Sequence, residues 1–262
     1  ALMTGTSHPR IPKRDIALLE LPHPSINIQK TIVEILNDFD SQIQTLINSN
    51  SILQNMCSSL FKAWFTDFDP VKAKVEGRQP FGMNEETAAL FPDSFEDSPL
   101  GPIPAGWKAG KMKDATRVIG GGTPSTKNPD YWDGDICWTS PKDLSNIQGL
   151  ILLDTAKKIT EKGLSKVSSG LLPSNTVLMS SRAPIGYLAL TRIPMAINQG
   201  YIAFGQDKIF GPSYLLNWCK FNLPLIEAYA GGSTFLEISK SNFKEIRCVI
   251  PRTEILEKFE TI

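Results

Sequence analysis

"IVEILNDFDSQIQTLINSNSILQNMCSSLFKAWFTDFDPV", residues 32–71, decides what the rest of the chain is built around. Stepping alternately four and three residues from Ile32 lands on Leu36, Phe39, Ile43, Leu46, Asn50, Leu53, Cys57, Leu60 and Trp64. This is a seam of period 3.5, interrupted only by Asn50 and the small Cys57, and it is the pattern of a helix that pairs with another helix. No proline or glycine falls between Pro24 and Pro70, so nothing in the chain chemistry breaks that helix. At about 1.5 Å of rise per residue, a helix of about forty residues is a rod of about 60 Å. A rod so much longer than a globular helix needs predicts a second long helix as its partner. Asn50, a single polar residue in the seam, is expected to cost stability and to set register or pairing state. The alternative, an ordinary amphipathic helix lying on a domain, fits the length poorly.

The rest of the chain is of another kind, rich in Gly, Pro and short β-like runs. At 262 residues with 41% apolar content it is long enough for one large domain or two modest ones, and its composition is that of a globular protein. No apolar run of about eighteen residues is present, and ALMTGTSHPR lacks the charged and apolar regions of a secretion signal. A cytoplasmic location without membrane contact is expected. The missing initiator Met and the close on EILEKFETI suggest a piece of a longer protein. Cys57, Cys137, Cys219 and Cys248 lie far apart with no Cys-x-x-Cys pair, so buried free thiols are expected and neither a metal nor a disulfide framework is.

Zero net charge hides an asymmetry. Residues 1–99 carry 8 Lys and Arg against 13 Asp and Glu, whereas residues 100–250 carry 17 against 11. A net charge of about +6 on the middle block points to an anionic partner for that block, with a solvated surface as the alternative.

An internal repeat links the two ends. At an offset of 227 residues Gly5 matches Gly232, Ile11 matches Ile238, Lys13 matches Lys240, Pro24 matches Pro251 and Ile28 matches Ile255. Each copy runs small polar turn, short apolar stretch, proline, helix start. The chain therefore reads as the tail of one domain, a long helix, a complete second domain and the beginning of a second long helix.

Five motifs in this order carry a resemblance: "LFKAWFTDFDPVKAKVEGR" (60–78), "GPIPAGWKAGKM" (101–112), "GGGTPSTKNPDYWDGDICWTSPKDL" (120–144), "SSRAPIGYLAL" (180–190) and "AINQGY" (196–201). Together they resemble the specificity subunit of type I restriction-modification systems, over nearly the whole chain. The resemblance implies a non-catalytic subunit in which two target recognition domains each read one half of a bipartite double-stranded DNA site. Two antiparallel helices set the spacing. Adenine methyltransferase subunits and a motor and restriction subunit would dock on this frame, bringing S-adenosylmethionine and ATP, with no cofactor in this chain. The implied division is 1–24, tail of a first recognition domain; 25–66, spacer helix; 67–99, linker; 100–250, second recognition domain; and 251–262, start of a second spacer helix. The fold class expected is α+β, a globular recognition domain of short strands (TVLMSS, YLALT, YIAF) and helices such as GPSYLLNWCKFN, attached to a long coiled-coil helix. Without a second helix of its own, the chain is expected to form a homodimer through residues 32–64.

Candidate DNA contacts are loop-borne. In the turn-rich stretch after Gly120–Gly122, Thr123, Ser125 and Lys127 suit phosphate, although the glycines equally suit a strand-end turn. Arg182, between a β-like run and a Pro-Ile-Gly turn, suits a guanine edge, a phosphate or a structural ion pair. Lys142 and Lys240 are further loop cations. Base readers are expected in less familiar stretches, 146–166 or 168–175. "WFTDFDPV" puts Trp64, Phe65 and Phe68 beside Asp67 and Asp69, an apolar patch for docking a methyltransferase subunit or the base of the recognition domain.

Catalysis is not indicated. "NPDY" (128–131) resembles the Asn-Pro-Pro-Tyr of adenine methyltransferases, but Asp130 replaces the second proline and no glycine-rich donor loop precedes it. No phosphate-binding loop for ATP is present, and His8 and His23 lack nucleophile and acid partners. Tyr131 and Trp107, Trp132, Trp138 and Trp218 read as core aromatics before stacking platforms. The competing function is a coiled-coil adaptor whose basic domain grips an acidic protein.

Overall fold

The computed structural model describes residues 12–16, 19–145, 147, 149–205, 208–232 and 236–262. Gly5, His8, Ile11, Asn146, Gln148 and the Ser233–Thr234 pair before Lys240 lie outside the described residues. The chain forms two compact units, residues 1–56 and residues 57–262.

The first unit is mostly helix. A short helix, Lys13–Ile16, precedes the long one, Ile26–Phe65, whose 40 residues form one uninterrupted α-helix that continues into the second unit. Gln29 closes its start by donating through Nε2 to the Pro24 carbonyl at 2.8 Å. The seam residues Ile32, Leu36, Phe39, Ile43, Leu46 and Leu53 are all exposed. The hydrophobic effect that should drive them together is therefore unspent within the chain.

The second unit has a core of its own. A five-stranded sheet runs in the order Arg117–Ile119, Tyr201–Gly205, Val177–Ser181, Ile185–Thr191, Ile151–Leu152, antiparallel except for the last pair. Val177, Met179, Ile202 and Phe204 face one apolar cluster, while Leu178, Tyr201 and Ala203 face another. Alternation of faces along a strand with both sides covered is why VLMSS and YIAFG read as continuous apolar runs. A three-stranded sheet (Ala196–Ile197, Trp132–Thr139, Lys157–Ile159) and the pair Lys108–Lys111 with Arg247–Ile250 complete the main strand architecture.

Helix Pro212–Phe221 covers the first cluster with Leu215, Trp218 and Cys219. Its N-terminal N–H groups, at Ser213 and Tyr214, donate to the Glu260 carboxylate at 3.0 and 2.8 Å. A carboxylate at a helix N-terminus is favoured by the helix dipole, so this contact ties the C-terminal helix Thr253–Glu260 to the unit.

The end of the long helix belongs to the same core. Phe61, Trp64 and Phe65 are buried, with Phe61 stacked on Phe221 at 5.4 Å and Trp64 edge-on to Phe91 at 5.0 Å. Phe259 of the C-terminal helix meets all three rings at 5.2 to 6.0 Å. Phe68, partly buried, packs on Phe95 and Trp107. Of the two occupants expected for this patch, the base of the recognition domain is the one packed on it: Trp64 and Phe65 are buried in the chain's own core, which leaves no surface there for a methyltransferase subunit. Leu60 and Trp64 likewise leave the open seam, which ends at Leu53.

The two copies of the repeat start their elements at matching positions. Short helices begin at Lys13 and Lys240, and the following helices begin two residues after Pro24 and Pro251. Their environments are opposite. Leu21 is 78% exposed and its counterpart Cys248 is 4% exposed; Ile28 is 53% exposed and Ile255 is fully buried. Ile16, Leu19 and Ile32 are exposed where Phe243, Ile246 and Phe259 are buried.

Candidate nucleic-acid interface

Four strands of the five-stranded sheet end or begin at the same edge: Arg117–Ile119 ends there, Tyr201–Gly205 begins there, and Val177–Ser181 turns there into Ile185–Thr191. The loops at that edge hold one another. Thr123 Oγ1 donates to Gln199 Oε1 at 2.5 Å, Ser181 N–H donates to the Gly200 carbonyl at 2.8 Å, and Ile238 N–H donates to the Ser181 carbonyl at 3.0 Å. The Lys240 side chain lies against Gly120, which closes the circle.

The glycine run is shaped by close approach. A Cβ on Gly121 would overlap the Ile197 carbonyl, and Gly122 N–H donates to that same carbonyl at 2.9 Å. The run's carbonyls are taken by protein donors: Ser168 Oγ at 3.1 and 3.0 Å from those of Gly120 and Gly121, and Trp138 Nε1 at 3.0 Å from that of Gly122. Gly121→Ala is therefore expected to destabilise the second unit by roughly 2–4 kcal/mol, because backbone rather than a flexible side chain must move. Chemical denaturation of both proteins checks this, and a loss below about 0.5 kcal/mol would contradict the packing.

Of the residues expected to touch DNA, the structure brings Thr123, Arg182 and Lys240 to this edge. Lys142 and Lys240 are carried by short helices, Pro141–Leu144 and Lys240–Glu245, and not by loops as expected, and Lys142 follows Pro141, whose ring packs beside Gly200. Arg182 Nη1 donates to Glu237 Oε2 at 3.2 Å, a pair about 40% exposed on each side. A surface pair of this kind contributes about 0–1 kcal/mol, so a phosphate can displace the carboxylate. Ser125 and Lys127 stand further along the loop, where the Ser125 carbonyl accepts from Trp132 Nε1 at 3.1 Å. Lys127 is exposed and forms no ion pair among the described residues. In NPDY the Asn128 side chain caps the turn by accepting from Asp130 N–H at 3.1 Å.

Two groups were not singled out from sequence. Gln199 sits in AINQGY, a motif that pointed to the family without indicating which side chain faces outward. Tyr201 anchors the edge from inside: its hydroxyl lies 3.1 Å from Thr139 Oγ1, and burial pushes its phenol well above the ordinary range, so it works only as a neutral hydroxyl. Among the stretches expected to hold base readers, 168–175 supplies Ser168 as a brace for the glycine run, while 146–166 supplies the strand Lys157–Ile159. Close to that strand, the Asp154 carboxyl is held below its usual range by the Thr155 N–H, the Cys137 thiol and Lys158.

Residues 104–261 match the family described as the type I restriction modification DNA specificity domain. The chain belongs to that family. Among relatives of this DNA specificity family, the type I restriction enzyme MjaIX specificity subunit of Methanocaldococcus jannaschii is 38% identical over 170 residues, 64% of this chain and 39% of the relative. The HindI specificity subunit of Haemophilus influenzae is 24% identical over 295 residues, covering 96% of this chain and 63% of the relative. The type I restriction-modification S subunit from M. genitalium shares the fold, with a TM-score of 0.52 at 15% identity, over 99% of this chain and 59% of that one. The chain thus spans between 39% and 63% of the length of these three relatives.

Proposed function

We propose that this chain is the DNA-reading and spacing part of a type I restriction-modification specificity subunit. Residues 100–250 read one half of a bipartite double-stranded site, and residues 25–66 set the distance to the other half. The observation that carries this reading is the gathering of Thr123, Arg182 and Lys240 on one sheet edge in a chain of the DNA specificity family. Cations and hydroxyls gathered at one edge are what phosphate positioning requires.

The repeat supports the domain division. Ile16, Leu19 and Leu21 match positions that Phe243, Ile246 and Cys248 bury, yet are exposed, as the closing segment of a first recognition domain would be outside that domain. Residues 67–99 then join the spacer helix to the recognition domain as a packed segment and not a free linker, with Val71 and Phe91 buried in the second unit's core, and residues 251–262 open a second spacer helix. The open seam supports a homodimer of this chain, or pairing with a second spacer helix. Adenine methyltransferase subunits and a motor and restriction subunit are the proposed protein partners, carrying S-adenosylmethionine and ATP. The cytoplasm is the proposed location; among the described residues no helix is long and apolar enough to cross a membrane.

Arg182→Ala and Lys240→Ala test the reading. Each is expected to weaken binding to all duplex sequences alike, and to reduce the slope of log affinity against log salt by about 1. Fluorescence anisotropy across a salt series measures both. Unchanged affinity and slope in the double variant would remove this edge from the DNA interface.

A further inference from the structure

The loop that starts at the glycine run ends at a second feature, a pocket of about 400 Å³ lined by Thr126, Trp132, Asp133, Thr155, Lys157 and Lys158, among others. We infer that this pocket reads base edges of duplex DNA, and so supplies sequence selectivity where the sheet edge supplies phosphate contact. The inference rests on the DNA-reading function proposed above.

The pocket is held in place by an irregular strand. Trp132 and Ile136 both pair with Ile159, so Asp133, Gly134 and Asp135 bulge out of the ladder. Gly134 fits because a Cβ there would strike the backbone of Ile159 and Thr160. Asp133 takes a left-handed conformation, φ 58°, which Asp and Asn tolerate better than most side chains. Trp132 is fixed twice, by its Nε1 bond to the Ser125 carbonyl and by edge contact with Trp138 at 5.2 Å. Lys157 Nζ lies 5.3 Å from the centre of the Trp132 ring and forms no ion pair among the described residues.

The chemistry of the lining selects the ligand. Two ammoniums (Lys157 and Lys158), the Asp133 carboxylate and the Thr126 hydroxyl surround an indole wall, with Thr155 Oγ1 donating to the Lys157 carbonyl at 2.7 Å, so the pocket offers donors, acceptors and an apolar surface at fixed positions. Base edges in the major groove present this mixture: acceptors on guanine, donor amines on cytosine and adenine, and a methyl on thymine. A phosphate is a poorer match, since Asp133 would repel it and Lys158 is already paired with Asp154 at 3.7 Å. The loop also carries Lys127 next to Thr126, so a duplex resting on the sheet edge has a cation beside the pocket as well.

The test is selection by the 262-residue chain from a library of duplexes with a randomised core, followed by sequencing. The wild-type chain is expected to enrich one short sequence. Asp133→Asn keeps the left-handed backbone, and Lys157→Gln leaves the bulge intact. Each should relax or change the preference at one or two base positions, with discrimination there falling about tenfold. Affinity of Asp133→Asn for unrelated duplex should not fall. If both variants enrich the wild-type sequence with undiminished discrimination, the pocket is not the reader, although the DNA-reading function stands. If the wild-type chain enriches nothing, the proposed function fails and the inference with it.

Discussion

Phe61→Ala is expected to lower the unfolding free energy of the second unit by about 3–5 kcal/mol. Phe61 is 1% exposed and touches four rings, Phe65, Tyr214, Phe221 and Phe259, with centroids 5.2 to 6.0 Å away. These neighbours come from three separate helices, so no small shift of one of them refills the space. The loss includes both the transfer of the ring and the cavity it leaves. Urea denaturation should show a lower midpoint with a nearly unchanged slope. Phe39→Ala is the matched control, because that ring is exposed and its removal costs the second unit nothing. A shift below about 1 kcal/mol for Phe61→Ala would mean that the end of the long helix is not part of this core.

Ile43→Glu together with Leu46→Glu is expected to convert a dimer of this chain into a monomer at micromolar concentration. Six large apolar side chains between Ile32 and Leu53 lie exposed along a seam of coiled-coil period. Burying one such side chain is worth roughly 1.5–3 kcal/mol, and a dimer buries each position twice. Two charges per chain in the middle of the seam cancel that gain and add like-charge repulsion, so the dissociation constant should rise at least about a thousandfold. Sedimentation equilibrium of both proteins decides it. A wild-type chain that stays monomeric would leave the seam to a different long helix. The globular unit should be unaffected, because Ile43 and Leu46 lie outside it.

Much of this molecule was readable from residues alone. The helix could be read because a 3.5-residue period without proline or glycine permits little else, and local backbone chemistry then carries it for 40 residues. The repeat could be read because its prolines and apolar positions keep a fixed offset, and both copies start their helices at matching residues. The strands Val177–Ser181 and Tyr201–Gly205 announced themselves as apolar runs bounded by turn residues. The family was carried by five motifs in order.

What was not readable depends on contacts distant in sequence. Trp64 and Phe65 looked like a docking patch because an apolar helix end is the same in sequence whether a partner or the chain's own core covers it. Only packing on Phe91, Tyr214 and Phe259 shows which it is. That Arg182 lies beside Glu237, 55 residues away, could not be read from local sequence. The pocket at Trp132 joins residues 126, 132–134 and 155–158 through a strand irregularity that periodicity does not record. Local sequence determines which segments are helical or extended and which faces are apolar, because those follow from backbone conformation and side-chain spacing. Which apolar faces meet, and which charges share an edge, is decided only when the chain closes on itself, because burial and pairing are properties of distant residues brought together.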